Sequence, residues 1–282
     1  MKTNILKYAL VFGLLSIFTS CENQQIDTQD QNQEVLKYDE TSLSDAYFGR
    51  KSSSGCHFEY EGSSGPEFWA DLCGDDWKDC GGNSQSPINI ITDAVLEDES
   101  INNINTNYTI SSTNIFNNGH TIQFNYDAGS SASLNNIDYN LLQFHFHTGS
   151  EHTVDGVRYP MEMHLVHQDP ITKLLAVVGV FFKEGNRNLL LNQFMNNLPE
   201  YEDDHYTSSQ KYHIKDILPG DMDFYTYSGS LTTPACSEIV TWYIIKETIE
   251  ASHEQLERFE HIMHKNFRPI QTLSGRIVST ND

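Results

Sequence analysis

The sequence predicts a mainly β protein with a few short helices, folded as a single domain. The best-patterned segments are short runs rich in β-branched or aromatic residues. Asn-Gly and Asp-Gly pairs punctuate them as turns, and helical periodicity is scarce. In chain order, Asn117-Asn118-Gly119 marks a first turn and Leu141 to Thr148 a first strong strand. Asp155-Gly156 marks a second turn, followed by strands over Glu162 to His167 and Leu174 to Lys183. Arg187 to Asn196 reads as a helix, Ile239 to Lys246 as a strand, and His253 to Lys265 as a closing helix. No internal repeat interrupts this series.

Composition bounds the partners. Of 282 residues, 38% are hydrophobic and 11% aromatic, enough for a sizeable core. The 39 acidic residues outnumber 17 basic ones, for a formal charge of −22. So acidic a surface argues against nucleic acid or an anionic membrane as partner and favours solubility.

The first twenty residues read as a targeting segment. Lys2 and Lys7 precede an apolar stretch of eleven residues from Tyr8 to Phe18, too short to span a bilayer comfortably. Small residues in Phe18-Thr19-Ser20-Cys21 resemble a bacterial lipoprotein cleavage site, which makes Cys21 the lipidated first residue. Ordinary cleavage nearby and an uncleaved anchor are the alternatives. Residues 21–54 are polar and poor in apolar positions, so they read as a tether between lipid and domain. Such a stretch spans about 30 Å r.m.s.. The folded domain then occupies 55–282. These readings place the protein outside the cytoplasm, in the cell envelope, held to membrane only through an N-terminal lipid.

Export changes the reading of the cysteines. With Cys21 set aside, Cys56, Cys73, Cys80 and Cys236 remain, an even number that suggests two disulfides in any of three connectivities. A zinc site made of all four lacks the paired CxxC spacing it needs.

One constellation carries chemistry. In Gln143-Phe144-His145-Phe146-His147, period two puts Gln143, His145 and His147 on one face of a strand and the phenylalanines on the other. In Glu162-Met163-His164-Leu165-Val166-His167, the residues Glu162, His164 and Val166 share a face, while His167 points away. Three imidazoles from two adjacent strands suit a zinc ion with its fourth position left open for water. A ligating imidazole usually donates its other N–H to an acceptor, and Gln143 and Glu162 stand two residues upstream of His145 and His164 to accept it. Three neutral ligands leave the ion's charge unneutralised, which sharpens its pull on the proton of a bound water. His205, His213, His253, His261 and His264 read as surface residues.

With these residues in view, the chain resembles the α-class carbonic anhydrases. The resemblance rests on Gln143 to His147, Ser150 to Gly156, Glu162 to Val166 and Ser230-Leu-Thr-Thr-Pro234. Gln85 to Asn89, Asn118-Gly-His120, Val240-Thr-Trp242 and Asn266 to Pro269 match in the same order. It implies a large, central, mostly antiparallel twisted sheet with short helices outside. It also implies reversible hydration of CO2 to bicarbonate and a proton, by attack of hydroxide on zinc held by His145, His147 and His164.

By the same likeness, Thr232 orients the hydroxide and donates to Glu151, and its backbone N–H meets an oxyanion. Val166, Val177, Leu231, Val240 and Trp242 form the apolar wall for CO2, with Thr233 in the same pocket. His120 is the proton shuttle, since imidazole both takes and releases a proton near neutrality. Tyr60, Asn118 and Gln123 line its water path, Gln123 standing where asparagine is common. The likeness pairs Cys80 with Cys236, and Cys56 with Cys73 by exclusion. Sulfonamides and anions are the inhibitors it implies. Thr148, Gln168 and Ala235 depart from residues frequent in the family and put cavity shape in question. Two rival functions are a silent binding module, which would lose ligands, and a zinc hydrolase, which would carry an HExxH motif.

Overall fold

A computed structural model describes residues 55–281; the targeting-segment, Cys21 and tether readings lie outside the described residues. Eight strands position the site. They are β1 (Ser111–Asn117), β2 (Ile122–Asn125), β3 (Ile137–Thr148), β4 (Met161–Gln168), β5 (Leu175–Glu184), β6 (His205–Tyr212), β7 (Phe224–Gly229) and β8 (Val240–Ile245). Their order in the sheet is β6-β1-β2-β3-β4-β5-β8-β7, continued by Ser279–Thr280 and Leu96–Glu97. Most neighbours run antiparallel, but β5 and β8 run parallel. The expected mainly β architecture around one large sheet is the one found.

The core strands form where the sequence places β-branched and aromatic residues. β4 is buried along its whole length and β5 along its first eight residues. Strands covered on both faces need near-continuous hydrophobicity, and Leu175-Ala-Val-Val-Gly-Val-Phe-Phe182 supplies it. One sheet face carries a large cluster that includes Phe124, Phe144, Phe146, Met163, Leu165 and Phe182. Phe124 and Phe144 stack with centroids 4.7 Å apart. The other face carries a second apolar cluster around Val166, Val177 and Trp242.

Helices are short. Arg187 to Asn196 contracts to α1 (Leu189–Asn192), capped by the Asn188 side chain on the amides of Leu190 and Leu191. The expected longer helix fails because the chain turns at Gln193 to Asn197 to bury Phe194. The closing helix α2 (His253–Met263) starts on a Ser252–Gln255 capping box and ends two residues before Lys265. Its Phe259 packs on Phe146 beneath the site, 4.8 Å between centroids.

Both disulfides are formed, Cys56–Cys73 and Cys80–Cys236.

Candidate metal centre

The antiparallel register of β3 and β4 sets His145 directly opposite His164 and His147 opposite Glu162. Period two does the rest, turning His145, His147 and His164 to one side while Phe144, Phe146, Met163 and Leu165 enter the core. All three imidazoles are buried. One ligand atom from each lies within 4.8 Å of the others.

Each ring is oriented from behind. His145 Nδ1 lies 3.0 Å from Gln143 Oε1, as the strand period predicts. His164 Nε2 lies 2.8 Å from Glu162 Oε1. His147 Nδ1 donates over 2.7 Å to the Asn266 carbonyl, a partner that strand periodicity could not reveal. The ring nitrogens opposite these contacts are Nε2 of His145, Nε2 of His147 and Nδ1 of His164. His147 Nε2 is buried without a hydrogen-bond partner. Burial, reinforced for His145 by the neighbouring imidazoles, holds His145 and His147 below the usual imidazole range, so they present lone pairs. A buried, orphaned nitrogen among three oriented imidazoles fits a zinc ion.

Glu162 is held in turn. His152 Nδ1 lies 2.8 Å from its Oε1, and the His152 amide donates to its Oε2 at 2.9 Å. Burial opposes ionisation of this carboxyl, but His152 and His164 outweigh it and hold Glu162 well below the usual carboxylate range. His152 Nε2 meets the Tyr227 hydroxyl at 2.7 Å, and Tyr227 donates to Ser86 Oγ at 2.9 Å. Ser86 Oγ accepts the amide of Ser230 at 3.0 Å, which ties the network to the loop bearing Leu231 and Thr232. Gly179 faces His164 across β4 and β5. A Cβ there would stand 2.7 Å from Ile244 Cδ1 and 3.0 Å from Glu162 Oε1, so only glycine leaves the carboxylate its place.

Glu151 is wholly buried. Its Oε1 accepts the Arg268 amide at 2.9 Å, while Oε2 lies 3.5 Å from His147 Nε2 and has no hydrogen-bond partner. The expected bond from Thr232 to Glu151 is therefore not formed in this structure, although both residues are buried. The Arg268 guanidinium donates to Gln85 Oε1 and to the carbonyls of Ser86 and Cys80. Cys80 is bonded to Cys236, four residues beyond Thr232, so this arginine and the disulfide brace the same loop.

The five apolar residues expected to meet substrate, Val166, Val177, Leu231, Val240 and Trp242, are all buried in one cluster. Val177 pairs with Val166 on one side and Trp242 on the other. A narrow cavity of about 20 Å³, room for one or two waters, is lined by His145, His147, Thr233, Tyr60, Asn118, Gln123 and His120. Asn118 Oδ1 accepts the amides of His120 and Thr121, so the Asn-Gly turn presents His120 to this cavity. The His120 ring stacks on Phe58 at 3.9 Å. Burial, and then the charge of His57, lower its pKa to about 4 against the opposing pull of Glu59.

Among functional residues, sequence reasoning missed His152, Asn266 and Arg268. His152 had a signal, being a histidine inside the quoted Ser150 to Gly156 motif. The other two lay inside the quoted Asn266 to Pro269 motif, but their partners His147, Glu151 and Gln85 stand 117 to 183 residues away, so no local pattern gave their roles.

Comparison with known proteins agrees with this geometry. A family profile described as eukaryotic-type carbonic anhydrase matches residues 64–282. A carbonic anhydrase of Klebsiella pneumoniae is 39% identical over 226 residues, covering 79% of this chain and 90% of that one. The α-carbonic anhydrase of Thermovibrio ammonificans, solved with the inhibitor sulfanilamide, superposes with a TM-score of 0.77 at 39% identity. That match covers 80% of this chain and 99% of the other. A dioscorin solved with ascorbate shares the fold at 27% identity and a TM-score of 0.74, over 79% of this chain and 97% of that one. The shared fold thus accommodates other ligands, and the family is settled by the profile and the closer sequences: the chain belongs to the eukaryotic-type, or α-class, carbonic anhydrases.

Proposed function

We propose that the chain catalyses reversible hydration of CO2 to bicarbonate and a proton, with His145, His147 and His164 holding a zinc ion. The single observation that carries this is three buried imidazoles, each oriented from behind, with one nitrogen apiece turned to a common point. Bound there, zinc would supply Lewis acidity that brings a water's pKa down to ~7; this family is the standard example of that effect.

The chain's own residues perform the rest. Thr232 Oγ1 accepts a hydrogen bond from the attacking water and, once the bond left open in this structure closes, donates to Glu151 Oε2, which has no hydrogen-bond partner here. A carboxylate only accepts, so this direction points the water's lone pair toward substrate. CO2 is apolar and lies against Val166, Val177, Leu231, Val240 and Trp242. Thr233 and the Thr232 amide meet the oxygens of the product. The released proton passes along the cavity by Tyr60, Asn118 and Gln123 to His120. Burial, and then Glu151, raise the Tyr60 hydroxyl well above its ordinary range, so it stays a donor on that path.

Sulfonamides and small anions bind at the same point, as the sulfanilamide complex of the Thermovibrio relative supports. Two disulfides support an oxidising compartment. Among the described residues no helix is long and apolar enough to cross a membrane. Export by the first twenty residues, with a lipid on Cys21 and a tether over 21–54, would account for the disulfides. The test is stopped-flow CO2 hydration beside measured zinc content. Activity that tracks zinc occupancy and falls with a sulfonamide is expected; activity in a chelated, metal-free sample contradicts the reading.

A further inference from the structure

At the mouth of the cavity the chain sets a second imidazole beside His120. His57 immediately precedes Phe58, the residue on which the His120 ring stacks with 15° between planes. The ring centroids of His57 and His120 are 5.7 Å apart with 34° between planes, a separation that one water can bridge. His57 Nε2 lies 2.5 Å from Glu59 Oε1, and the two side chains are 51% and 57% exposed. His120 instead lines the cavity shared with His145 and His147. The other groups facing this pair are Tyr60, 6.5 Å from the His120 ring, and Glu202, packed against Gly119.

The two rings have unequal surroundings. A proton on His120 is shielded from water by Phe58 and repelled by a charged His57, and the lowered pKa of His120 follows from both. A proton on His57 meets solvent on one side and a carboxylate on the other.

We propose that His57 is a second proton acceptor of the hydration reaction, taking the proton from His120 through one water and releasing it to buffer. This rests on the reading of His120 as first acceptor. In the step an N–H bond on His120 breaks and one on His57 forms, so His120 returns to neutral. A buffer base then removes the proton from His57. Glu59 fixes the His57 ring at the rim.

The test is His57→Ala in the zinc-loaded enzyme; the side chain is exposed, so folding is unaffected. In dilute buffer kcat falls about threefold to tenfold, kcat/KM for CO2 is unchanged, and added imidazole restores kcat. The independent readout is an NMR pH titration of the same zinc-loaded protein. Removing His57 raises the titration midpoint of His120. An unchanged kcat in dilute buffer, or a His120 midpoint that does not move, overturns the proposal. A slow His120→Ala beside a wild-type-like His57→Ala discards only the His57 step. A wild-type-like His120→Ala discards the shuttle reading and this proposal with it.

Discussion

At the inner end of the cavity every ligand imidazole is held from behind, His145 by Gln143, His147 by the Asn266 carbonyl and His164 by Glu162. At the rim His120 is placed by other means: an Asn118 turn under its backbone and the face of Phe58 against its ring. Stacking fixes a plane without fixing a nitrogen. A hydrogen bond to a buried acceptor fixes both. The difference matches the tasks proposed for each end, since coordination needs a stationary lone pair and proton transfer needs a ring that can present either nitrogen.

The inner end should therefore fail as a unit. His145→Ala is expected to abolish zinc retention and CO2 hydration together, measured as metal content after dialysis and as stopped-flow rate. Full zinc retention in that variant would break the contrast at its root. Glu162→Gln tests the outer layer. It removes a buried charge shared by His152 and His164 and is expected to weaken zinc binding about 10–100-fold, read by competition with a chromogenic chelator. An unaltered affinity would mean that ring orientation at His164 does not depend on the carboxylate.

The disulfides sharpen the comparison because each braces one end. Cys80–Cys236 closes 156 residues of chain and holds the Thr232 loop, whereas Cys56–Cys73 closes 17 and holds the segment carrying His57, Phe58 and Tyr60. The chain-entropy argument gives losses of about 5 and about 3 kcal/mol on removal. Paired Cys→Ser variants compared by urea unfolding should rank in that order. The variant lacking Cys80–Cys236 should also lose kcat/KM, and the other should lose kcat in dilute buffer instead.

How much of this was readable in the chain depends on distance along it. Gln143 and Glu162 sit two residues from the imidazoles they hold, so a period of two was enough to assign them. The Asn-Gly turn beneath His120 was equally local. His152 reaches Tyr227 over 75 residues, His147 reaches Asn266 over 119, and Arg268 reaches Gln85 over 183. No local pattern encodes such pairs, because the sheet brings them together only after distant strands have paired. The helix over Arg187 to Asn196 was misjudged in length for a related reason. Its local propensity was sufficient, but burial of Phe194 on the core decided where the chain turned. The bond from Thr232 to Glu151 was inferred by resemblance, and here Glu151 keeps Oε2 unpaired.

The rim's contribution is the smallest and is separable by buffer and by pH. His120→Ala is expected to lower kcat about tenfold in dilute buffer, with kcat/KM unchanged and partial rescue by imidazole; a rate independent of the substitution would remove the functional half of the contrast. The same ring has a second signature in stability. Its folded pKa of about 4 lies below the ordinary 6.5, so between those values the unfolded chain binds the proton more readily. Acidification through that window therefore costs stability, on the order of 3 kcal/mol at full effect. His120→Ala removes this term, and its urea midpoint should change less than that of the wild type between pH 6.5 and pH 4. Equal pH sensitivity in both proteins would mean that the ring at the rim is as well solvated folded as unfolded, and that Phe58 does not shield it.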